Sequence, residues 1–177
     1  MFEPLPDRLD LLRDAAQGRA FRGRVSLNRM ERLREAAAVA DGDVEVELVL
    51  DRDETGILYL EGSARASVSM TCQRCLELVE LPLHVEFSLG LVQGEREAER
   101  LPEQYEPLQA AREPVAVAAV IEDELLLALP VVPRHEACSM GFQPRMVEAP
   151  EEVGEEEPAR ENPFAALSAL KGDGSKR

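Results

Sequence analysis

The sequence predicts an α+β domain in which helices cover one face of an antiparallel β-sheet of about four or more strands. Long runs of residues alternate between apolar and polar side chains, which is typical of strands with one buried face and one wet face. Short segments rich in Gly, Asp and Pro separate these runs and indicate turns. An apolar stretch with helical periodicity follows the strands, and we expect this helix to cover the dry face of the sheet.

The alternation defines the strands, which we place at residues 21–27, 44–50, 58–72 and 81–91. After the first strand, Asn28 and Glu31 have the spacing of a capping box, so a helix is expected to begin there. Gly62 interrupts the third strand and predicts a bulge or a bend. Pro82 lacks an N–H group, so the fourth strand should be an edge or irregular at that position.

The last predicted helix of the domain follows Pro114 and ends at Pro130, because proline cannot continue a helix. It contains three consecutive acids, Glu122, Asp123 and Glu124. Consecutive residues do not share a helical face, so we interpret these acids as the wet face of the helix and not as a catalytic group.

The predicted domain covers residues 1–147, within which residues 93–114 are polar, rich in Pro and expected to form a mobile loop. Residues 148–161 hold seven glutamates and predict a disordered acidic linker. Residues 162–171 are expected to form a short amphipathic helix that docks into a groove on a partner. Its apolar side chains recur at every third position and are Phe164, Leu167 and Leu170.

Cysteine spacing points to a metal centre. Cys72 and Cys75 lie together at the predicted tip of a hairpin, and His135 and Cys138 form a second short-spaced pair. Three sulfurs and one imidazole are a standard ligand set for structural zinc. One alternative is a set of reduced thiols without a metal. A thioredoxin-like redox motif is the weaker alternative, since the βαβ pattern that would carry it is missing.

Charge is unevenly distributed along the chain. The net charge is −15, which argues against a simple binder of nucleic acid or of an anionic membrane. The first 34 residues nevertheless carry a net charge of +3. The arginines that we expect to contact RNA phosphates are Arg22, Arg24, Arg29, Arg32 and Arg34. The alternative is a solvated face that balances the acidic tail.

The N-terminus has no apolar core of a signal peptide, and no apolar run approaches the length of a membrane span. An odd number of cysteines without a secretory signal favours the reducing cytoplasm. We therefore expect neither a membrane nor a small-molecule substrate among the partners. No serine or cysteine has an obvious histidine partner by spacing, so the spacing supports neither a nuclease nor a thiol oxidoreductase.

Four motifs in this order and spacing resemble the YceD family. They are residues 70–76 (MTCQRCL), 101–108 (LPEQYEPL), 122–133 (EDELLLALPVVP) and 162–167 (NPFAAL). The resemblance covers nearly the whole chain, and it implies a non-enzymatic role in the synthesis, processing or stability of 23S rRNA and in large-subunit assembly. The implied partners are this RNA, its precursor particle or a basic ribosomal protein. The alternative is an acidic adaptor that binds a basic ribosomal protein or another partner without touching RNA.

Overall fold

A six-stranded sheet forms most of the fold. The computed structural model describes residues 2–110 and 113–138, all of them within one unit, Met1–Gly141. A short 3₁₀ turn, Leu27–Arg29, lies between β3 and α2. In chain order the helices and strands are β1 (Glu3–Pro4), β2 (Arg8–Leu9), α1 (Leu11–Ala16), β3 (Arg19–Ser26), α2 (Glu31–Ala36), β4 (Asp43–Arg52), β5 (Leu58–Thr71), β6 (Leu78–Val92), α3 (Glu95–Ala98), β7 (Glu106–Gln109), β8 (Val115–Ala116) and α4 (Val117–Ala128).

The α+β class is confirmed, but the sheet is mixed and not purely antiparallel as expected. Its strand order is β1-β3-β4-β5-β6-β7, with β2 and β8 in a separate antiparallel pair. The long strands β3 to β6 pair antiparallel, whereas β1 is parallel to β3 and β7 is parallel to β6. A parallel pair needs a crossover, and the chain passes through α3 between β6 and β7. Strands of two and four residues are too short for their alternation to show in the sequence.

The long strands bury one face, as their alternation predicts. In β4 the buried side chains are Val44, Val46, Leu48 and Leu50, and the residues between them are more exposed. Helices α1, α2 and α4 contribute buried side chains to the same apolar core. That helices cover one whole face of the sheet stays a prediction.

The helix expected at Asn28 begins three residues later. A 3₁₀ turn precedes α2, and Met30 caps the helix with its backbone alone, without a side-chain hydrogen bond. Met30 is fully buried, so the helix is capped by a residue whose apolar side chain packs in the core, and not by Asn28 as expected. Among residues 2–110 and 113–138, no helix has the length and apolarity needed to cross a lipid bilayer.

Gly62 is not a bulge. It pairs in regular register with Leu48 of β4 and with Phe87 of β6. A Cβ atom at Gly62 would lie 2.4 Å from Phe87 Cζ and 2.8 Å from a Leu48 methyl group. The glycine is therefore required because the phenylalanine ring of the neighbouring strand lies over its backbone. The predicted bulge is therefore wrong, and close packing is the reason for a glycine at this position.

Regular structure also occurs in residues 93–114, which we expected to form a loop. This segment contains α3 and β7, so its described part is not simply a loop. Tyr105 stacks on Tyr59 with 5.7 Å between ring centroids, and its hydroxyl lies 3.2 Å from Asp53 Oδ2. Whether the segment moves stays a prediction.

Pro82 agrees with expectation, since β7 pairs only with residues 89–92 of β6 and leaves the strand edge at Pro82 unpaired by any described strand.

Glu122 corrects the expectation that all three acids of α4 lie on a wet face. It is 6% exposed, and its carboxylate accepts hydrogen bonds from the Leu33 N–H at 3.1 Å and from the Arg32 guanidinium at 2.8 Å. Helical spacing could have shown this, because Glu122 falls four residues after Ala118 and three before Leu125, both buried. The carboxylate thus connects α2 with α4.

Hydrogen bonding determines the pKa of Glu122. Burial alone would raise it, but the hydrogen bonds from the Leu33 N–H and from Arg32 outweigh burial and lower the pKa below the ordinary value of 4.5. The group therefore adds to stability above the ordinary pKa of glutamate. This contribution is lost as the pH falls through the lower pKa of the folded state.

We predict that Gly62→Ala lowers the free energy of unfolding by about 1–3 kcal/mol, because Phe87 and Leu48 must move to admit a methyl group. Urea denaturation followed by circular dichroism would measure the loss. Gly94→Ala is the matched control, since a Cβ there has no neighbour within 4 Å and the backbone is extended. Equal stability of the two variants would contradict the packing argument.

We predict that Glu122→Gln lowers the free energy of unfolding by about 1–2 kcal/mol at pH 7, since an amide loses the charge that faces Arg32. The deficit should stay constant down to about pH 5 and shrink at lower pH, where wild type loses the same contribution. Denaturation at a series of pH values would show this. Glu124→Gln on the same helix is the control, because burial raises the pKa of Glu124 and no described cation pairs with it. A deficit independent of pH would contradict the assignment.

Candidate functional site

The turn between β5 and β6 brings Cys72 and Cys75 together. The Cys72 N–H donates to the Glu77 carbonyl at 2.8 Å, and the Leu76 N–H donates to the Cys72 carbonyl at 2.9 Å. Leu76 adopts the left-handed conformation with φ of 63°, which costs a residue other than glycine about 1 kcal/mol. These contacts close a tight turn at the end of the hairpin, with Cys72 buried as its strand parity predicts.

A second segment meets this turn after α4 has ended. The Gln73 N–H donates to the Pro133 carbonyl at 2.9 Å and so connects the hairpin to residues 131–138. This connection places His135 and Cys138 beside the two cysteines of the turn. The four ligand atoms all lie within 4.8 Å of one another, and none of the three cysteines is in a disulfide. The structure therefore brings together all four residues expected to form the metal centre.

Two of the distances in this Cys₃His cluster fit tetrahedral coordination. Cys72 Sγ lies 3.8 Å from Cys138 Sγ, and Cys75 Sγ lies 3.4 Å from His135 Nδ1. A zinc ion with bonds of about 2.3 Å to sulfur and 2.0 Å to nitrogen separates such atoms by about 3.8 Å and 3.5 Å. A metal ion could therefore occupy the centre of the cluster without a large movement of the ligands.

The orientation of His135 also suits a residue that ligates a metal ion. Its Nε2 lies 3.1 Å from the Leu78 carbonyl oxygen, which can only accept a hydrogen bond, so Nε2 carries the proton. Nδ1 then has a free lone pair that faces the sulfur atoms. A backbone carbonyl that selects the histidine tautomer in this way is a common outer contact of metal sites.

The thiols differ in their readiness to ionise. Hydrogen bonds to Cys72, first from the Cys75 N–H and then from the Arg74 and His135 N–H groups, lower the pKa of this thiol to about 5 against the opposing effect of burial. The hydrogen bond to Cys75, followed by burial and by Cys72, raises the pKa of Cys138 to about 11. One sulfur is thus a thiolate at neutral pH while another keeps its proton. A divalent cation would replace protons that the cluster otherwise holds.

The arginine face is largely neutralised within the protein. We define it as the five arginines expected to contact RNA, of which four lie in ion pairs. Arg22 pairs with Glu47 at 3.1 Å and Arg24 with Glu45 at 2.9 Å, as direct neighbours across β3 and β4.

The next two arginines of this face are also neutralised by ion pairs. Arg29 pairs with Asp7, and Arg32 pairs with both Glu122 and Asp123. Arg34 forms no ion pair with the described residues. Contact of this face with RNA stays a prediction. The docking residues Phe164, Leu167 and Leu170, like the acidic linker 148–161, lie outside the described residues.

Comparisons with known proteins identify the family. The family described as "Large ribosomal RNA subunit accumulation protein YceD" matches residues 60–171 of this chain. A protein of Haemophilus influenzae with the same description is 33% identical over 171 residues, which cover 94% of this chain and 96% of that protein. No solved structure matches. The matched segment contains the hairpin, the Cys₃His cluster and α4, and this chain therefore belongs to the YceD family.

Proposed function

We propose that this protein supports the accumulation of large-subunit ribosomal RNA as a non-enzymatic ribosome-biogenesis factor of the cytoplasm. One observation carries the proposal, namely 33% identity along nearly the whole length of a protein named for large ribosomal RNA subunit accumulation. The protein would bind 23S rRNA or its precursor particle during synthesis, processing or assembly. Its part in this process is binding without bond chemistry.

We further propose that the Cys₃His cluster holds a structural zinc ion through Cys72, Cys75, His135 and Cys138. The tetrahedral separations of the ligand atoms and the tautomer of His135 support this. The ion would connect the hairpin tip to the segment after α4, across about sixty residues of intervening chain. All four positions are occupied by protein atoms, which is the arrangement of a structural and not a catalytic zinc site.

A specific observation favours a second candidate, the acidic adaptor. Four of the five arginines expected to contact RNA are already paired with carboxylates, and the whole chain carries a net charge of −15. A basic ribosomal protein would be attracted to such a molecule, whereas RNA would be repelled from most of its surface. In this alternative the linker 148–161 holds the basic partner while Phe164, Leu167 and Leu170 enter a groove on it.

We predict that the purified protein carries about one zinc ion per chain and that His135→Ala removes most of it. The loss of several kcal/mol should lower the melting temperature by roughly 10 °C, since each kcal/mol is worth about 2–4 °C at this size. Metal analysis and thermal denaturation with and without a chelator would measure both effects. His84→Ala is the control, because this histidine lies exposed on β6. A wild type that folds fully without metal would remove the zinc proposal.

We predict that cells lacking this protein accumulate less 23S rRNA and fewer mature large subunits, while small subunits persist. Sucrose-gradient profiles and the ratio of 23S to 16S rRNA would measure the loss. Complementation with the full chain should restore the ratio, and complementation with a chain ending at residue 161 tests the docking peptide. Normal levels of large subunits in the deleted strain would refute the proposed function.

A further inference from the structure

The needs of folding do not explain why residue 76 is a leucine. It occupies a left-handed backbone conformation that glycine would adopt at less cost, so the backbone does not call for a leucine. Its side chain is 75% exposed, so the core does not call for one either. Leu78, two residues further on, is 57% exposed. An exposed apolar side chain on a backbone in an unfavourable conformation points to a contact outside the molecule.

Two arginines belong to the two segments that meet at this hairpin tip. Arg74 lies within the hairpin turn, and Arg134 lies in the segment held against that turn by the hydrogen bond between Gln73 and Pro133. Both side chains are exposed, and neither forms an ion pair with a described residue. Glu77 and Glu136 belong to the same two segments, but neither is within ion-pair distance of these arginines. The guanidinium groups are thus available, in contrast to those of Arg22 and Arg24.

We propose that the tip surface, defined as Arg74, Leu76, Leu78 and Arg134, binds unpaired nucleotides of RNA. This inference rests on the proposed function and names the surface through which it acts. The arginines would contact backbone phosphates, for which a planar guanidinium offers two parallel hydrogen-bond donors. The leucines would pack against base faces.

The chemistry selects single-stranded RNA over duplex RNA. In an A-form helix the base faces are stacked on one another, and the deep major groove is closed to side chains. Leucine side chains can reach base faces only in loops, bulges or ends, where bases are unstacked. The Cys₃His cluster takes ligand atoms from both segments, so a bound ion would hold the two segments together before RNA arrives.

The location also resolves an electrostatic difficulty. Phosphates near Arg22 or Arg24 would have to compete with Glu47 and Glu45 for the guanidinium groups. At the tip surface no described carboxylate forms an ion pair with Arg74 or Arg134, so a phosphate there would not have to displace one. An acidic protein can therefore bind RNA through a small part of its surface, since charges beyond about 8–10 Å are screened at physiological salt.

The test uses the full-length protein as purified and a fluorescein-labelled single-stranded oligoribonucleotide of mixed sequence, titrated by anisotropy at several salt concentrations. Arg74→Ala with Arg134→Ala should lower the slope of log affinity against log salt by about 1.4, which is 0.7 for each lost phosphate contact. Arg22→Ala with Arg24→Ala is the matched control and should leave the slope unchanged. The same sequence annealed into a duplex should bind more weakly than the single strand.

Leu76→Gly separates binding from folding, because glycine relieves the backbone cost. This variant should keep or raise the melting temperature while its affinity for the single strand falls. If the Arg22/Arg24 variant loses affinity while the Arg74/Arg134 variant keeps it, the tip surface does not bind RNA. The proposed function would be unaffected by this result. If the wild-type protein binds no RNA while deletion of its gene still depletes large subunits, the tip surface is wrong as an RNA site. A protein partner is then the better explanation of the proposed function.

Discussion

The pairing of β5 with β6 is the constraint on which the rest of the structure depends. It runs in unbroken register from Tyr59 opposite Gly90 to Thr71 opposite Leu78. This register places Phe87 over Gly62, and it sets the length of the turn that carries Cys72 and Cys75. A slip of one residue would exchange the two faces of the strand and move Cys72 from the buried side to solvent. Close packing at Gly62 opposes such a slip, so the core and the thiol cluster are specified together.

Carboxylates determine which surface arginines could attract phosphate. Opposite charges face each other across β3 and β4, and Glu122 holds Arg32 from inside the protein. Exposed pairs of this kind add little stability, but they remove guanidinium groups from the set that could attract phosphate. A cluster of arginines in a sequence is therefore not yet a binding surface. Neighbours in the fold decide which of them are free, and among the described residues the arginines without an ion pair include Arg74 and Arg134 at the hairpin tip.

The Cys₃His cluster and the left-handed turn belong to the same hairpin tip. Leu76 holds an unfavourable conformation that persists only when its surroundings impose it. The Cys₃His cluster and the hydrogen bond from Gln73 to Pro133 supply that restraint from two directions. Since the cluster joins segments distant in sequence, a bound ion would couple metal affinity to folding and to the shape of the exposed tip.

Local periodicity in the sequence was enough to predict the long strands, the buried side of Cys72 and the pairwise spacing of the thiol ligands, because these features depend on neighbours along the chain. It could not show that β1 and β7 join in parallel, since strands so short carry no period. Helical spacing could have placed Glu122 on the buried face, but not its partners, because Leu33 and Arg32 lie about ninety residues away. The meeting of Cys72 and Cys75 with His135 and Cys138 likewise required the folded chain, because long-range contacts follow from packing of the whole core and not from any local signal.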